Sequence, residues 1–134
     1  MDFAILFLRV LVMLVFATSG WKDLTQTAER AKSLGFGPGL TKLVGVVELL
    51  AGLGVGFGVL PHLSSAGLMI IMLGAMHRKA LVWKSGFWGK DSQGWHYDLI
   101  FFAINLLVFA CAGGHWTIGH AVARLTGFRW LQNL

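Results

Sequence analysis

Four long apolar runs dominate this chain of 134 residues. They cover residues 3–20, 43–60, 64–82 and 97–113, and each is close to the roughly 20 residues that a helix needs to cross about 30 Å of hydrocarbon. In lipid, each backbone amide must be satisfied within its own segment, so helices are the expected form. A composition of 56% hydrophobic and 13% charged residues agrees with this interpretation. The sequence therefore predicts an all-α integral membrane four-helix bundle, with residues 1–134 forming a single domain.

Two further helices are expected at the membrane surface. The link DLTQTAERAKSLGFGPG has a helical middle and a Gly/Pro stop. The tail, residues 117–134, places Ile118, Val122 and Leu125 on one helical face, which predicts a short interfacial helix. The first apolar run is not expected to be a cleaved signal peptide, because it begins with Asp2, has no lysine there, and FATSG lacks an A-x-A pattern.

Basic residues flank the apolar runs unequally. The links after the first and third runs carry eight of them: Lys22, Arg30, Lys32, Lys42, Arg78, Lys79, Lys84 and Lys90. The opposite side has only Arg124 and Arg129. The positive-inside rule then predicts that both termini face outward and that the two longer links are cytoplasmic. Because these cations do not form an aromatic-spaced patch, the net charge of +5 does not indicate a nucleic-acid partner.

Three polar residues interrupt the apolar runs, namely Arg9, Glu48 and Asn105. An ionised side chain at the bilayer centre costs about 2.5–3.5 kcal/mol, so such residues are expected inside the bundle with partners. Estimated depths place the three together, with the Glu48 carboxylate within hydrogen-bonding reach of Arg9, directly or through Asn105 or a water. Gly45 and Gly52 share the face of Glu48, and two overlapping GxxxG steps follow, which predicts close helix packing.

Four further polar residues are expected at about the same depth, at the cytoplasmic mouth of the bundle: Lys22, His77, His96 and Asp98. This group suggests a headgroup-level site for a small polar ligand or a quinone ring. The structural alternatives stay open. An Arg9–Glu48 pair can be a clamp between helices, His77 an ordinary interfacial residue, and Asn105 a polar contact between helices.

Several chemistries are not supported by the sequence. Haem held by two histidines needs them at matching depth on facing helices, whereas His62 lies at the outer end and His77 and His96 at the inner end. The single cysteine, Cys111, and the scattered histidines give no zinc pattern, so no metal site is expected. No nucleophile motif or phosphate-binding loop is present. Catalysis by this chain alone is therefore not expected.

Three segments in order, LRVLVMLVFATSGWKDL, VELLAGLGVGFG and GWHYDL, resemble the DoxX family of four-helix bacterial membrane proteins. The resemblance extends over nearly the whole chain up to AGGHW. It implies a bacterial inner-membrane protein that serves as an accessory or quinone-linked subunit of an oxidoreductase system. The matching positions that it suggests as functional are Arg9, Lys22, Glu48 and His77. The segment AGGHWTIG departs from the family pattern, because it lacks the proline of a Gly-Pro-Gly turn and the aspartate that often follows.

The leading hypothesis is thus an accessory subunit that docks to an oxidoreductase and passes quinone-level electrons for it. A quinone is the one cofactor considered, and the expected partners are the lipid bilayer and either a protein subunit or further copies of this chain. Two alternatives remain. One is a non-catalytic scaffold or assembly protein, and the other is a small-solute or proton carrier that uses Glu48 as a relay.

Overall fold

The computed structural model describes residues 2–35, 37–89, 94–111, 114 and 117–127. Within these residues there are helices and no strands: α1 (Asp2–Thr25), α2 (Thr27–Leu34), α3 (Pro38–Phe57), α4 (Pro61–His77), a π-helical turn that continues α4 (Arg78–Val82), α5 (His96–Ala110) and α6 (Ile118–Thr126). The all-α prediction is confirmed.

In the part of the chain that the structure describes, three helices are long and apolar enough to cross a membrane: α1, α3, and α4 together with its π-helical turn. The fourth apolar helix, α5, has 15 residues and is about 22 Å long. It is shorter than the expected run, whose last two residues, 112 and 113, lie outside the described residues. The chain is therefore a helical membrane protein, and its described residues include three helices of membrane-spanning length and one shorter apolar helix. Its assignment to a single domain stays a prediction.

Helix boundaries differ from the apolar runs because caps set them. Pro38 and Pro61 begin α3 and α4 several residues before the predicted starts. Proline suits the first turn, where its missing N–H would have no intrahelical partner. The expected helix in the first link is confirmed as α2. It ends at Gly35, which has a φ of 71° and donates its N–H to the carbonyl of Ala31.

Helices α1 and α3 pack antiparallel through glycine contacts. A Cβ on Gly20 would lie 2.6 Å from the carbonyl oxygen of Gly45, and one on Gly52 would lie 3.1 Å from the Cβ of Phe16. Further along, Gly56 lies against the side chain of Met13. The prediction that the glycines of α3 allow close packing is confirmed: Gly45, Gly52 and Gly56 face α1, and Gly54 faces Ser64 of α4.

The other helices complete the bundle. Helix α4 contacts α3 and α5, and α5 in turn contacts α1. Phe16 of α1 and Phe101 of α5 join these helices, edge to face, with ring centroids 5.5 Å apart. These two rings belong to a buried apolar cluster that also contains Val12, Val55, Leu68, Met72 and Val108.

The expected helix in the tail is present as α6, and residues 128–134 of that tail lie outside the described residues. The side chains of Ile118, Val122 and Leu125 are exposed along α6. They agree with the predicted apolar face.

A charged cavity as the candidate functional site

A cavity of about 850 Å³ opens between four helices at one end of the bundle. This end, here called the basic end, is where α1 and α4 finish and where α3 and α5 begin. The inner part of the cavity is lined by apolar side chains, namely Val15, Phe16, Ile71 and Met72. Its mouth is lined mostly by charged groups, so the cavity is apolar inside and polar at its opening.

Three carboxylates from three different helices line the cavity, and all three are buried: Asp23 of α1, Glu48 of α3 and Asp98 of α5. Two of them have cationic partners. Nε of Arg30 donates to Oδ1 of Asp23 at 2.5 Å. Nζ of Lys79 lies 2.9 Å from Oδ2 of Asp98, an ion pair by distance although it lacks hydrogen-bond geometry.

Glu48 differs from the two aspartates. Its side chain is 7% exposed, and its Oε2 atom is buried without a hydrogen-bond partner among the described residues. The hydroxyl of Ser19 approaches the carboxylate from α1. A buried oxygen that lacks a hydrogen bond costs about 1–3 kcal/mol, so a further donor to this atom would be favourable. Unlike the two aspartates, Glu48 therefore has no ion-pair partner among the described residues, and its Oε2 can accept from a further donor.

The expected pairing of Arg9 with Glu48 is wrong. Arg9 is 1% exposed, and it donates from Nε to the carbonyl of Val55 and from Nη2 to the carbonyl of Gly56, both at 2.8 Å. These carbonyls lie seven and eight residues beyond Glu48, about 11 Å along the helix. The Glu48 side chain also tilts toward the N-terminus of α3, away from Arg9. Arg9 instead binds the C-terminal carbonyls of α3, where a positive charge is favourable.

Asn105 makes no hydrogen bond with Glu48 and does not line the cavity. Its side-chain nitrogen donates to the carbonyl of Phe101 at 2.9 Å, and its Oδ1 is buried without a hydrogen-bond partner among the described residues. Asn105 lies one turn beyond Phe101, which packs edge to face against Phe16 of the inner cavity wall. The predicted cluster of Arg9, Glu48 and Asn105 therefore does not form as a unit.

Three of the four residues expected at the mouth do come together. Lys22, His77 and Asp98 all line the cavity. His96 does not line it. Its Nδ1 lies 2.7 Å from the carbonyl of Phe87, and its ring packs against the ring of Trp88. The functional roles of these residues stay predictions.

Sequence reasoning missed several residues of the cavity, above all Asp23 and its partner Arg30. Little in the sequence indicated this ion pair, because Asp23 and Arg30 are seven residues apart and belong to different helices, α1 and α2. Lys79 was recognised only as a basic flanking residue. It belongs to the π-helical turn, a rare element that is frequent at functional sites. From there Lys79 reaches Asp98 and lies 5.6 Å from the ring centre of Tyr97.

Taken together, the fold and cavity define a multi-pass helical membrane protein with a cavity between its helices that is lined by both carboxylates and cations. The family model described as DoxX matches residues 4–82, more than half of the chain. The protein therefore belongs to the DoxX family, as its sequence motifs indicated. Searches of curated proteins and of solved structures returned no match. The matched region contains Glu48 and Asp23, whereas Asp98 lies beyond it.

Proposed function

We propose that this protein is an accessory subunit that binds a membrane quinone in the charged cavity, for an oxidoreductase that docks at the basic end. The observation that carries the proposal is the unpartnered Oε2 of Glu48 at a cavity that is apolar inside and charged at its mouth. A ligand for such a site needs an apolar body and a polar ring at one end. A quinone combines both in one molecule.

The dimensions and lining of the cavity fit this class of ligand. Ligand pockets typically enclose about 300–1,000 Å³ and are mainly apolar with a few polar groups, and the cavity of about 850 Å³ falls within that range. In the reduced quinol form the ring hydroxyls can donate to Glu48, and in the oxidised quinone form the ring carbonyls can accept from the ammonium of Lys22 or the imidazole of His77. When bound, a quinone supplies two-electron chemistry, and the partner enzyme would be the source or acceptor of those electrons.

The binding test uses two adjacent isoleucines of α4. Ile71 lines the cavity, whereas Ile70 is 70% exposed on the outer face of the helix. We expect Ile71→Trp to fill the cavity and to reduce the retention of a short-chain quinone by the protein in lipid nanodiscs, with Ile70→Trp as the matched control. Empty nanodiscs correct for partitioning into lipid. Equal retention by the two variants would contradict the proposal.

The location and orientation proposed here are the bacterial inner membrane with both termini on its outer side. The support is the excess of basic residues in the links after the first and third apolar runs, eight against two in the remaining segments outside the runs. A phosphatase reporter fused after Leu134 should be active, because that enzyme requires export, and a cytoplasmic fluorescent reporter at the same position should be dark. The reverse result would place the basic end outside.

A docked enzyme would approach the basic end, where Lys22 and Lys84 are exposed. An acidic surface on the partner would complement these charges. Cross-linking through Lys84 in native membranes tests this. The yield should fall with rising salt, and a Cys111 cross-linker at the opposite end serves as the control.

The two alternatives make different predictions. A scaffold without ligand would retain no quinone in either isoleucine variant but would still hold its partner. A proton or solute carrier would produce flux in protein-containing liposomes that Glu48→Gln abolishes. A charge swap between Arg9 and Glu48 does not separate these functions, because the two residues are not paired.

A further inference from the structure

The charged cavity also reaches the outer surface of the bundle, away from its mouth. Thr18 of α1 and Gly74 of α4 line the cavity, and both are exposed. Phe16 and Met72, each two residues earlier on the same helices, line its inner wall. Two residues correspond to about 200° around a helix, so the cavity extends from the buried face of each helix to its outer face. The cavity therefore has an opening at the side of the bundle, here called the side opening.

The side opening lies on the part of the surface that faces hydrocarbon. Thr18 is about one turn deeper in the bundle than Lys22, which lines the charged mouth. One further turn along the same outer faces, Leu14 follows Thr18 and Ile70 follows Gly74, and these side chains are 57% and 70% exposed. A ligand that leaves the cavity here therefore passes directly among lipid chains.

The side opening also makes few demands on a polar ligand. The hydroxyl of Thr18 donates to the carbonyl of Leu14 at 2.6 Å, so its hydrogen is already used within α1. A Cβ on Gly74 would have no atom of the described residues within 4 Å, so the space beside it is open. The side opening thus suits a hydrocarbon chain.

The inner end of the cavity is closed by packed side chains. Beyond its inner wall, Val12, Val55, Leu68 and Val108 are 0% exposed and belong to the buried apolar cluster. Interiors packed in this way have no space for a further chain. A hydrocarbon tail at the charged mouth would instead take charged groups out of water, which is costly. A tail longer than the cavity therefore leaves most favourably through the side opening.

We infer that the ligand is a lipid-soluble quinone with a long hydrocarbon tail, which enters from the membrane through the side opening. Its ring lies beside Glu48, and its tail passes Thr18 and Gly74 into the lipid. This inference rests on the proposed function and adds to it the substrate class and the route of entry. Because the tail stays among lipid chains, the apolar chain is not transferred into water at any stage. The charged mouth is left free for the partner enzyme.

The first test locates the tail by photolabelling of the full chain in lipid nanodiscs. The probe is a quinone whose decyl tail carries a diazirine at its end, and only labels that excess unlabelled decyl quinone removes are counted. We expect such labels on the outer faces of α1 or α4, near Leu14 or Ile70. Labels at Val12, at Leu68 or at the charged mouth would overturn the inference and leave quinone binding intact. If the unlabelled quinone removed no label, both the inference and the proposed function would fail.

The second test narrows the side opening. We expect Gly74→Phe to lower the retention of decyl quinone, corrected with empty nanodiscs, by about tenfold, and that of a tail-less quinone by less. Gly67→Phe is the matched control, because Gly67 lies two turns away on α4, has the same open space and does not line the cavity. Equal losses for the two quinones, equal losses in the two variants, or no loss in Gly74→Phe would overturn the inference. The photolabelling uses the unsubstituted chain, so it does not depend on the folding of these variants.

Discussion

Arg9 and Glu48 are buried charges on two helices that pack together, yet their surroundings differ. Arg9 holds two backbone carbonyls at the end of α3, each at 2.8 Å. Glu48 retains a buried oxygen without a hydrogen bond among the described residues. Arg9 is satisfied by the fold itself, whereas Glu48 is positioned at a cavity and only partly satisfied. Buried polar groups that the fold leaves unpaired are candidates for a functional role.

Because of this difference, we expect Arg9 to contribute mainly to the stability of the bundle and Glu48 mainly to its proposed ligand binding. The opposite end depends on Arg9 for the geometry of α3, and substitutions there should mainly lower the free energy of unfolding. At the basic end, substitution of Glu48 should mainly change ligand binding. Single substitutions at both ends test whether the two properties separate in this way.

The largest loss of stability is expected from Arg9→Met. The change removes two hydrogen bonds from a charged donor, leaves the carbonyls of Val55 and Gly56 without this partner, and removes a positive charge from the end of α3. We expect the free energy of unfolding in mixed micelles to fall by about 4 kcal/mol. Lys42→Met, at an exposed position of α3, is the control and should change it little. A stable Arg9→Met variant would remove the proposed structural role.

The next largest effect is expected from Gly20→Ala on α1. The new Cβ would lie 2.6 Å from a backbone oxygen of Gly45 and 2.7 Å from the backbone nitrogen of Leu49, so the helices must separate. We expect a loss of about 2–3 kcal/mol in the same unfolding assay. Gly67→Ala is the matched control, because a Cβ there has no atom within 4 Å and alanine favours helix. Equal effects would show that the helices can adjust.

The fold was largely predictable from the sequence. Apolar runs, GxxxG steps and the Gly35 stop each reflect local requirements that the chain meets within a few residues. Helix starts were less predictable, because Pro38 and Pro61 extend α3 and α4 beyond their apolar parts. The length of α5 was overestimated for the related reason that an apolar run continues past the end of its helix.

The site was predictable only in part, because depth in the membrane does not identify a partner. Arg9 and Glu48 were matched by estimated depth, but the long arginine side chain reaches backbone carbonyls that no sequence pattern marks. Asp23 was overlooked because it follows the apolar run in a segment that resembles a polar link. Its burial arises from the continuation of α1 to Thr25.

A moderate effect is expected from Lys79→Met, which leaves Asp98 without its ion-pair partner. The Lys79 side chain is 15% exposed, so solvent reduces the cost relative to a fully buried pair, and we expect a loss of about 2 kcal/mol. Adding Asp98→Asn should recover part of it, and the double-mutant cycle measures the coupling. Additive losses would show that the two residues do not interact.

The smallest effect on stability is expected from Glu48→Gln. The amide keeps the size of the side chain and removes the charge, and Arg9 retains both of its carbonyl partners. We therefore expect the free energy of unfolding to change by less than about 1 kcal/mol, as for substitutions that break no structural contact. Retention of the reduced quinol form in nanodiscs should nevertheless fall, because a neutral amide oxygen replaces the charged carboxylate that accepts from a ring hydroxyl.

The control for Glu48→Gln is Glu29→Gln, which removes the same charge from an exposed position on α2. It should change neither stability nor quinone retention. If Glu48→Gln destabilised the bundle as much as Arg9→Met, Glu48 would be a structural residue and the contrast between the two ends would fail. If stability and retention were both unchanged, the cavity would bind its ligand without this carboxylate. A fall in retention alone identifies Glu48 as a ligand-binding residue in a bundle that folds without its charge.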